Sequence, residues 1–137
     1  MNDQFELTLV NQQSEVARLL DRLEAFARQH GLAPRVLHDV QLALEEHLTN
    51  ILVHGYDDEG EHSIRVHVQL SATDLRVEVA DDGHPFNPLE HPAPDLTKPI
   101  AERPVGGLGI HMMQKSLNGT TYRRADGKNI LVMMKLI

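Results

Sequence analysis

Residues 41–56, Q-L-A-L-E-E-H-L-T-N-I-L-V-H-G-Y, combine a helical apolar stripe with two polar side chains one turn apart. At about 100° per residue, one narrow apolar stripe collects Leu37, Val40, Leu44, Leu48 and Ile51. Glu46 and Asn50 fall on the opposite side of the cylinder, and their i, i+4 spacing makes their side chains project in the same direction. The pattern predicts a helix that packs with one face and presents a carboxylate and a carboxamide on the other.

The pair Glu46 and Asn50 suits a particular kind of chemistry. A carboxylate can accept a proton, and an amide oxygen can ligate a hard cation. A divalent ion and a nucleophilic hydroxyl can therefore meet beside these two side chains. Taken alone, the same pair also fits an amphipathic helix with ordinary solvated polar residues, so the rest of the chain has to decide between the two interpretations.

Length and composition predict one soluble domain that covers residues 1–137. The chain has no cysteine, which excludes disulfide scaffolds, thiolate metal sites and cysteine nucleophiles. The formal net charge of −7 disfavours direct nucleic-acid binding, which depends on clustered Lys and Arg. No run approaches the roughly 18 apolar residues of a membrane span, and the acidic start M-N-D-Q-F-E is unlike a signal peptide. We expect a cytoplasmic protein without membrane association.

Hydrophobic periodicity predicts strands at residues 4–10, 62–70, 75–80, 119–124 and 129–136. One helix is predicted from a cap at Ser14 to a stop at Gly31, and a second from Pro34 to Gly55. The D-G at 126–127 indicates a tight hairpin between the last two strands. These elements predict an α+β fold: a two-layer sandwich with the helices packed on one face of a mostly antiparallel mixed sheet.

The segment from Gly83 to Gly106 has no sustained periodicity and holds six of the seven prolines. They are Pro85, Pro88, Pro92, Pro94, Pro99 and Pro104. Prolines at this density exclude a regular helix or a central strand. A long irregular connection inside a compact domain is typical of a lid or binding loop, and a passive surface insertion is the alternative.

A glycine-rich stretch, V-G-G-L-G-I-H-M-M at 105–113, follows that segment where a third helix is predicted to begin. Glycines let the backbone approach a ligand, and free N–H groups at a helix start favour anions such as phosphate. The motif alone is also compatible with a plain tight turn. A P-loop is excluded because G-x-x-x-x-G-K-[ST] does not occur.

Read in order, the chain carries E-x-x-x-N on a helix, D-x-G at a strand end, the proline-rich segment, G-G-L-G before a helix, and G-K-N-I-L in the last strand. This order resembles the N, G1, G2 and G3 boxes of the GHKL ATP-binding superfamily, which has the Bergerat fold. The motifs E-E-H-L-T-N-I-L-V-H-G-Y and A-D-D-G-H-P-F-N-P look like those of the small serine-protein kinases that act as bacterial anti-sigma factors. Pro85 replaces the second glycine of the usual D-x-G-x-G, which is similar to relatives of those kinases.

The resemblance implies a role for each matching residue. Asn50 matches the asparagine that binds Mg²⁺ beside ATP, and Glu46 matches the carboxylate proposed to orient or deprotonate the acceptor serine. Asp81 matches the aspartate that accepts a hydrogen bond from the adenine amino group, and Gly83 admits the adenine edge. Arg103 matches an arginine near the γ-phosphate. The remaining nucleotide-binding candidates are His54, Thr97, Lys98, Gly106, Gly107, Leu108 and Gly109. The implied lid spans about residues 83–106.

The resemblance also implies a function and partners. We expect an ATP-dependent serine-protein kinase acting as an anti-sigma factor in partner switching. It would phosphorylate a serine on a STAS-domain antagonist, sequester a sigma factor and form a homodimer. The alternative is a non-catalytic ATP/ADP-binding regulatory module with other protein partners, and a plain ATP hydrolase is the least favoured reading. A zinc site is disfavoured because His62 and His67 are predicted to point to opposite faces of a strand.

Overall fold

The computed structural model describes residues 3–90 and 115–137, and these ranges contain two helices and five strands. In chain order they are β1 (Gln4–Val10), α1 (Gln13–Gln29), α2 (Pro34–His54), β2 (Ser63–Leu70), β3 (Asp74–Asp81), β4 (Gly119–Ala125) and β5 (Lys128–Leu136). A short 3₁₀ turn at Pro88–Glu90 follows β3. The predicted third helix begins within residues 91–114, outside the described part of the chain.

The strands form one sheet in the order β1-β2-β3-β5-β4. Every pairing among the described strands is antiparallel, so the expected mixed character is not seen in this part of the chain. The prediction of an α+β fold is confirmed. Alternation decides which face is buried: Ile64, Val66 and Val68 of β2 point inward, while their neighbours in the strand are exposed or half-buried.

The helices cover the inward face of the sheet with their apolar stripes. From α1 the core receives Val16, Leu19, Leu23 and Phe26, and from α2 it receives Val36, Val40, Ala43, Leu44, Leu48 and Ile51. Leu37, predicted to belong to the α2 stripe, is only partly buried. Burial of this apolar area is the main stabilising contribution to folding.

The helix ends follow local chemistry with one exception. Gly31 adopts φ +66° just after α1, and Pro34 occupies the start of α2, as expected. The prediction of Ser14 as the cap of α1 is wrong, because the helix already begins at Gln13 and its cap position makes no side-chain hydrogen bond. The nearby Glu15 carboxylate accepts the Val10 N–H at 3.1 Å and so joins α1 to β1.

The last hairpin has the predicted D-G turn. Asp126 (φ 53°) and Gly127 (φ 74°) both have positive φ, which is typical of a two-residue turn between antiparallel strands. Within residues 3–90 and 115–137, neither helix has the combination of length and apolar character that crossing a bilayer requires.

Candidate functional site

The last residue of β3, Asp81, carries a buried carboxylate. Asp81 is 3% exposed, and its Oδ2 accepts hydrogen bonds from the Gly83 N–H (3.0 Å) and from Asn129 Nδ2 (3.1 Å). Burial raises the pKa of Asp81, while the hydrogen bonds from Asn129 and Gly83 act in the opposite direction. Two donors on one oxygen hold the carboxylate in a fixed orientation at the end of the sheet.

Asn129 is a site residue that the sequence reasoning did not single out. It lies opposite Asp81 across the β3–β5 pairing. Its Nδ2 also donates to the His84 carbonyl (2.6 Å), and its Oδ1 accepts from the Tyr122 hydroxyl (2.6 Å) and the Phe86 N–H (3.2 Å). Asn129 therefore connects β3, β4, β5 and the segment after β3. Its signal in the sequence is a polar residue in the same alternation phase as the buried Leu131 and Met133.

Gly83 lies against the end of α2. A Cβ atom on Gly83 would lie 2.5 Å from the Gly55 carbonyl oxygen and 3.0 Å from Asp81 Oδ2, so a side chain does not fit without a backbone shift. The next residue, His84, donates its N–H to the same Gly55 oxygen at 2.8 Å. Arg124 Nη1 donates to the Gly83 carbonyl at 2.9 Å. These contacts join the turn after β3 to the residue that ends α2.

The polar face of α2 contains the predicted Glu46 and Asn50, both half-buried. Asn50 Nδ2 is buried and has no hydrogen-bond partner among the described residues. A half-turn rotation of this amide would place Oδ1 at the same position, so the site can present an oxygen to a cation or a donor to a phosphate. The residue therefore fits the Mg²⁺·ATP role that the resemblance implies. His54, on the last turn of α2, is exposed.

His47 is a buried polar residue on α2. It is 3% exposed, and neither ring nitrogen has a hydrogen-bond partner within the described ranges. Burial lowers the pKa of His47 to about 4, so the ring is neutral near pH 7. The sequence reasoning missed His47, although it directly follows Glu46.

The structure brings two parts of the predicted site together. The helix that bears Glu46 and Asn50 ends at Gly55, which contacts the turn that follows Asp81. Seven predicted site residues lie outside the described part of the chain, namely Thr97, Lys98, Arg103, Gly106, Gly107, Leu108 and Gly109.

The comparison with protein families agrees with this geometry. Residues 9–135 match the family described as the histidine kinase-like ATPase domain, so the chain belongs to that family. The resemblance to the GHKL superfamily is thereby confirmed.

Two relatives of the chain are named as protein kinases. The chain is 26% identical over 113 residues to "Serine/threonine-protein kinase BtrW" of Bordetella bronchiseptica, which covers 81% of this chain and 78% of the relative. It is 27% identical over 135 residues to "Serine-protein kinase RsbW" of Bacillus thuringiensis, with 95% and 83% covered.

A solved structure shares the fold. The crystal structure of the RsbU and RsbW domains of Rv1364c from Mycobacterium tuberculosis superposes with a TM-score of 0.70 at 16% identity. The match covers 98% of this chain and 33% of that longer chain. At this identity the likeness supports the fold alone.

Proposed function

We propose that this protein is an ATP-dependent serine-protein kinase that acts as an anti-sigma factor in a partner-switching system. It phosphorylates a serine on a STAS-domain antagonist and alternatively sequesters a sigma factor. The observation that carries the proposal is the α2 polar face: Glu46 and Asn50 lie one turn apart on a helix whose end contacts the turn after Asp81. The kinase names of the relatives support the same function.

The nucleotide is held at both ends of this arrangement. The Asp81 carboxylate accepts a hydrogen bond from the adenine amino group, and Gly83 lets the edge of the ring approach the backbone. Asn50 would hold Mg²⁺, and the ion would neutralise charge on the phosphates when bound. The resemblance assigns the phosphates to Gly106, Gly107, Leu108 and Gly109 and the γ-phosphate to Arg103. It gives Thr97, Lys98 and His54 as further candidates for nucleotide binding.

Glu46 acts on the acceptor. Its carboxylate accepts a hydrogen bond from the acceptor serine hydroxyl and orients the serine oxygen toward the γ-phosphate. It takes the proton as the bond from the serine oxygen to the γ-phosphorus forms and the bond from that phosphorus to the β–γ bridging oxygen breaks, with ADP as the leaving group. The position is half-buried, which limits water around the carboxylate while leaving room for a protein side chain. We further propose a single domain over residues 1–137 with a lid at about 83–106, a homodimer, and cytoplasmic localisation.

Calorimetry and a transfer assay test the proposal together. Wild-type protein should bind Mg·ATP and Mg·ADP, and should transfer ³²P from [γ-³²P]ATP to a STAS-domain protein. Glu46→Gln should keep nucleotide binding within about twofold and lose transfer by roughly 100-fold or more. The neighbouring exposed carboxylate provides the control, since Glu45→Gln should leave both measurements unchanged.

The outcomes separate the two candidate functions. Nucleotide binding without transfer by the wild-type protein supports a non-catalytic ATP/ADP-binding module instead. Transfer that survives in Glu46→Gln refutes the role of that carboxylate. Absence of heat with both nucleotides would remove the basis of the whole proposal.

A further inference from the structure

The connection between α2 and β2 folds back toward the end of β3. Within it, the Tyr56 and His62 rings stack with centroids 4.0 Å apart and planes 9° from parallel. The backbone of His62 is fixed as well, because its N–H donates to Asn11 Oδ1 at 2.8 Å and its carbonyl accepts the Asn11 N–H at 3.1 Å. The stacking on Tyr56 positions the imidazole of His62, and the two bonds to Asn11 position its backbone.

The His62 ring lies between two carboxylates from different parts of the chain. Its Nε2 is 2.9 Å from Asp58 Oδ1, in the same connection, and its Nδ1 is 3.3 Å from Asp82 Oδ1, directly after β3. An ionised carboxylate only accepts hydrogen bonds, so both contacts are favourable only when both ring nitrogens carry a hydrogen. In either neutral tautomer, one nitrogen lone pair would face a carboxylate.

The surrounding groups favour the charged ring. The hydrogen bond to Asp58 has the largest effect and raises the pKa of His62, burial opposes it less strongly, and Asp82 adds a further increase, so the net shift is upward. The third titratable neighbour is Tyr56, whose pKa is raised by burial and by Asp81 and Asp82, so its phenol stays neutral. A parallel contact lies beside this cluster, where His84 Nε2 is 2.9 Å from Asp57 Oδ1.

The bridge connects directly to the nucleotide-binding turn. Asp82 lies between Asp81 and Gly83, the two residues proposed to contact adenine. Asp58 belongs to the connection that starts at the end of α2. Other contacts between these segments are the His84 N–H bond to the Gly55 carbonyl, the contact of His84 Nε2 with Asp57, and the interaction of Tyr56 with Asp82.

We propose that His62 is a positioning residue of the nucleotide site: its imidazolium bridges Asp58 and Asp82, and so holds the Asp81–Gly83 turn against the end of α2. This inference rests on the proposed function. The bridge is complete below the ordinary histidine pKa and is lost as pH rises through the raised pKa of His62. Nucleotide affinity therefore falls as pH rises, although the nucleotide contacts themselves do not include His62.

Calorimetric titration with Mg·ADP from about pH 6 to about pH 8.5 tests this dependence. In the wild-type protein the dissociation constant should increase about threefold over this range, the size expected for a partly exposed ion pair. His62→Gln lacks the bridge, so its affinity should match that of the wild type at high pH and should change with pH only as far as the nucleotide itself titrates. The same titration of His62→Gln over the same pH range measures the contribution of the nucleotide's own titration, which is then subtracted from the wild-type curve.

Asp82→Asn distinguishes a charged bridge from simple packing. An asparagine amide can donate to Nδ1 of a neutral ring while Nε2–H donates to Asp58, so the bridge no longer needs the second proton. Measured against His62→Gln, Asp82→Asn should therefore bind with an affinity that does not change with pH. His67→Gln, on the sheet and bonded to Gln4 at 2.9 Å, should reproduce the wild-type curve.

A measurement without nucleotide keeps the inference separate from the proposed function. The exchange protection of the His84 amide, which donates to Gly55, should fall from pH 6 to pH 8.5 in the wild type after correction for intrinsic exchange. It should be low throughout in His62→Gln. Pronounced pH dependence of protection without any nucleotide binding would overturn the proposed function but retain the bridge. Nucleotide binding with identical pH curves in wild type and His62→Gln would overturn the bridge alone.

Discussion

Two groups of buried polar side chains in this protein differ in how their hydrogen bonds are satisfied. At the end of the sheet, Asp81 and Asn129 bond to each other and to the surrounding backbone and Tyr122 hydroxyl. On α2, Asn50 Nδ2 and both ring nitrogens of His47 have no partner in the described part of the chain. Buried polar groups cost free energy unless they are bonded, so the two groups contribute to stability with opposite signs.

The difference indicates where the site is preorganised. The sheet end is fixed by its own hydrogen bonds and can offer Asp81 in one orientation without rearranging. On α2, the buried polar atoms have no hydrogen-bond partner among the described residues. A ligand that bound there could form the missing hydrogen bonds. The following variants test whether this contrast is real, starting with the largest expected effect.

Asn129→Ala should lower the free energy of unfolding by roughly 3 kcal/mol, because it removes several hydrogen bonds and leaves the buried Asp81 with one donor fewer. Urea unfolding followed by circular dichroism measures the change. Tyr122→Phe is the graded comparison, since it removes only the 2.6 Å bond to Asn129 Oδ1 and should cost about 1 kcal/mol. Equal costs for the two variants would mean that Asn129 does not organise the sheet end.

His47 should make the protein less stable as the pH falls. Its folded pKa, about 4, lies below the unfolded value of 6.5, so the unfolded chain binds the proton more tightly. By this linkage, acidification from pH 7 to pH 5 should cost roughly 2 kcal/mol of unfolding free energy. His62, with a raised pKa, acts in the opposite direction and loses its contribution as pH rises.

The comparison variant His47→Met removes this titration and replaces the ring with an apolar side chain of similar size. Its stability should lack the acid loss attributed to His47 and should be about 1 kcal/mol higher at pH 7, because an unpaired buried polar ring has been removed. Denaturant unfolding at several pH values measures both effects. Parallel pH curves for wild type and His47→Met would show that this histidine has a partner in solution.

Local patterns in the sequence predict much of the fold. The period-two alternation predicted β1 at residues 4–10, as observed, and placed β2 and β3 within one residue of their observed ends. The α1 start was predicted wrongly: the helix begins at Gln13, and the side chain that joins this end to β1 is Glu15, which accepts the Val10 N–H. Local propensity does not contain such contacts.

The candidate site was predictable only where one segment carries the information. Asp81 and Gly83 lie at the end of a strand in which apolar and polar residues clearly alternate. Glu46 and Asn50 lie on a helix that has a clear apolar stripe. The bond between Asp81 and Asn129 joins residues 48 positions apart, and it depends on β3 pairing with β5. No short motif reveals such a pairing.

Gly83→Ala tests the junction between the two groups. The new Cβ would lie 2.5 Å from the Gly55 oxygen, so the backbone must move and the His84 bond to the same oxygen weakens. We expect a loss of about 2 kcal/mol in unfolding free energy and weaker binding of Mg·ADP. Gly31→Ala is the control, because its site has open space and only positive φ as a constraint. It should cost about 1 kcal/mol and leave nucleotide binding unchanged.

A mostly buried ion pair holds the other half of α2 against the sheet. Lys135 Nζ lies 2.8 Å from Asp39 Oδ2 and donates to the Ser116 carbonyl at 2.8 Å, so it ties the first half of α2 to β5. Both side chains of the ion pair are mostly buried, so Lys135→Met should lower the free energy of unfolding by about 1 kcal/mol. Lys128 is exposed on the same strand, so the control variant Lys128→Met should not change the free energy of unfolding measurably.

If α2 is held through this anchored half, nucleotide binding should be almost unchanged in Lys135→Met, because the residues proposed to bind nucleotide lie at the other end of the helix. A large loss of Mg·ADP affinity with little loss of stability would instead show that the position of the whole helix sets the geometry of Asn50. The contrast between a preorganised sheet end and a ligand-completed helix face would then have to include the Lys135–Asp39 pair as part of the site.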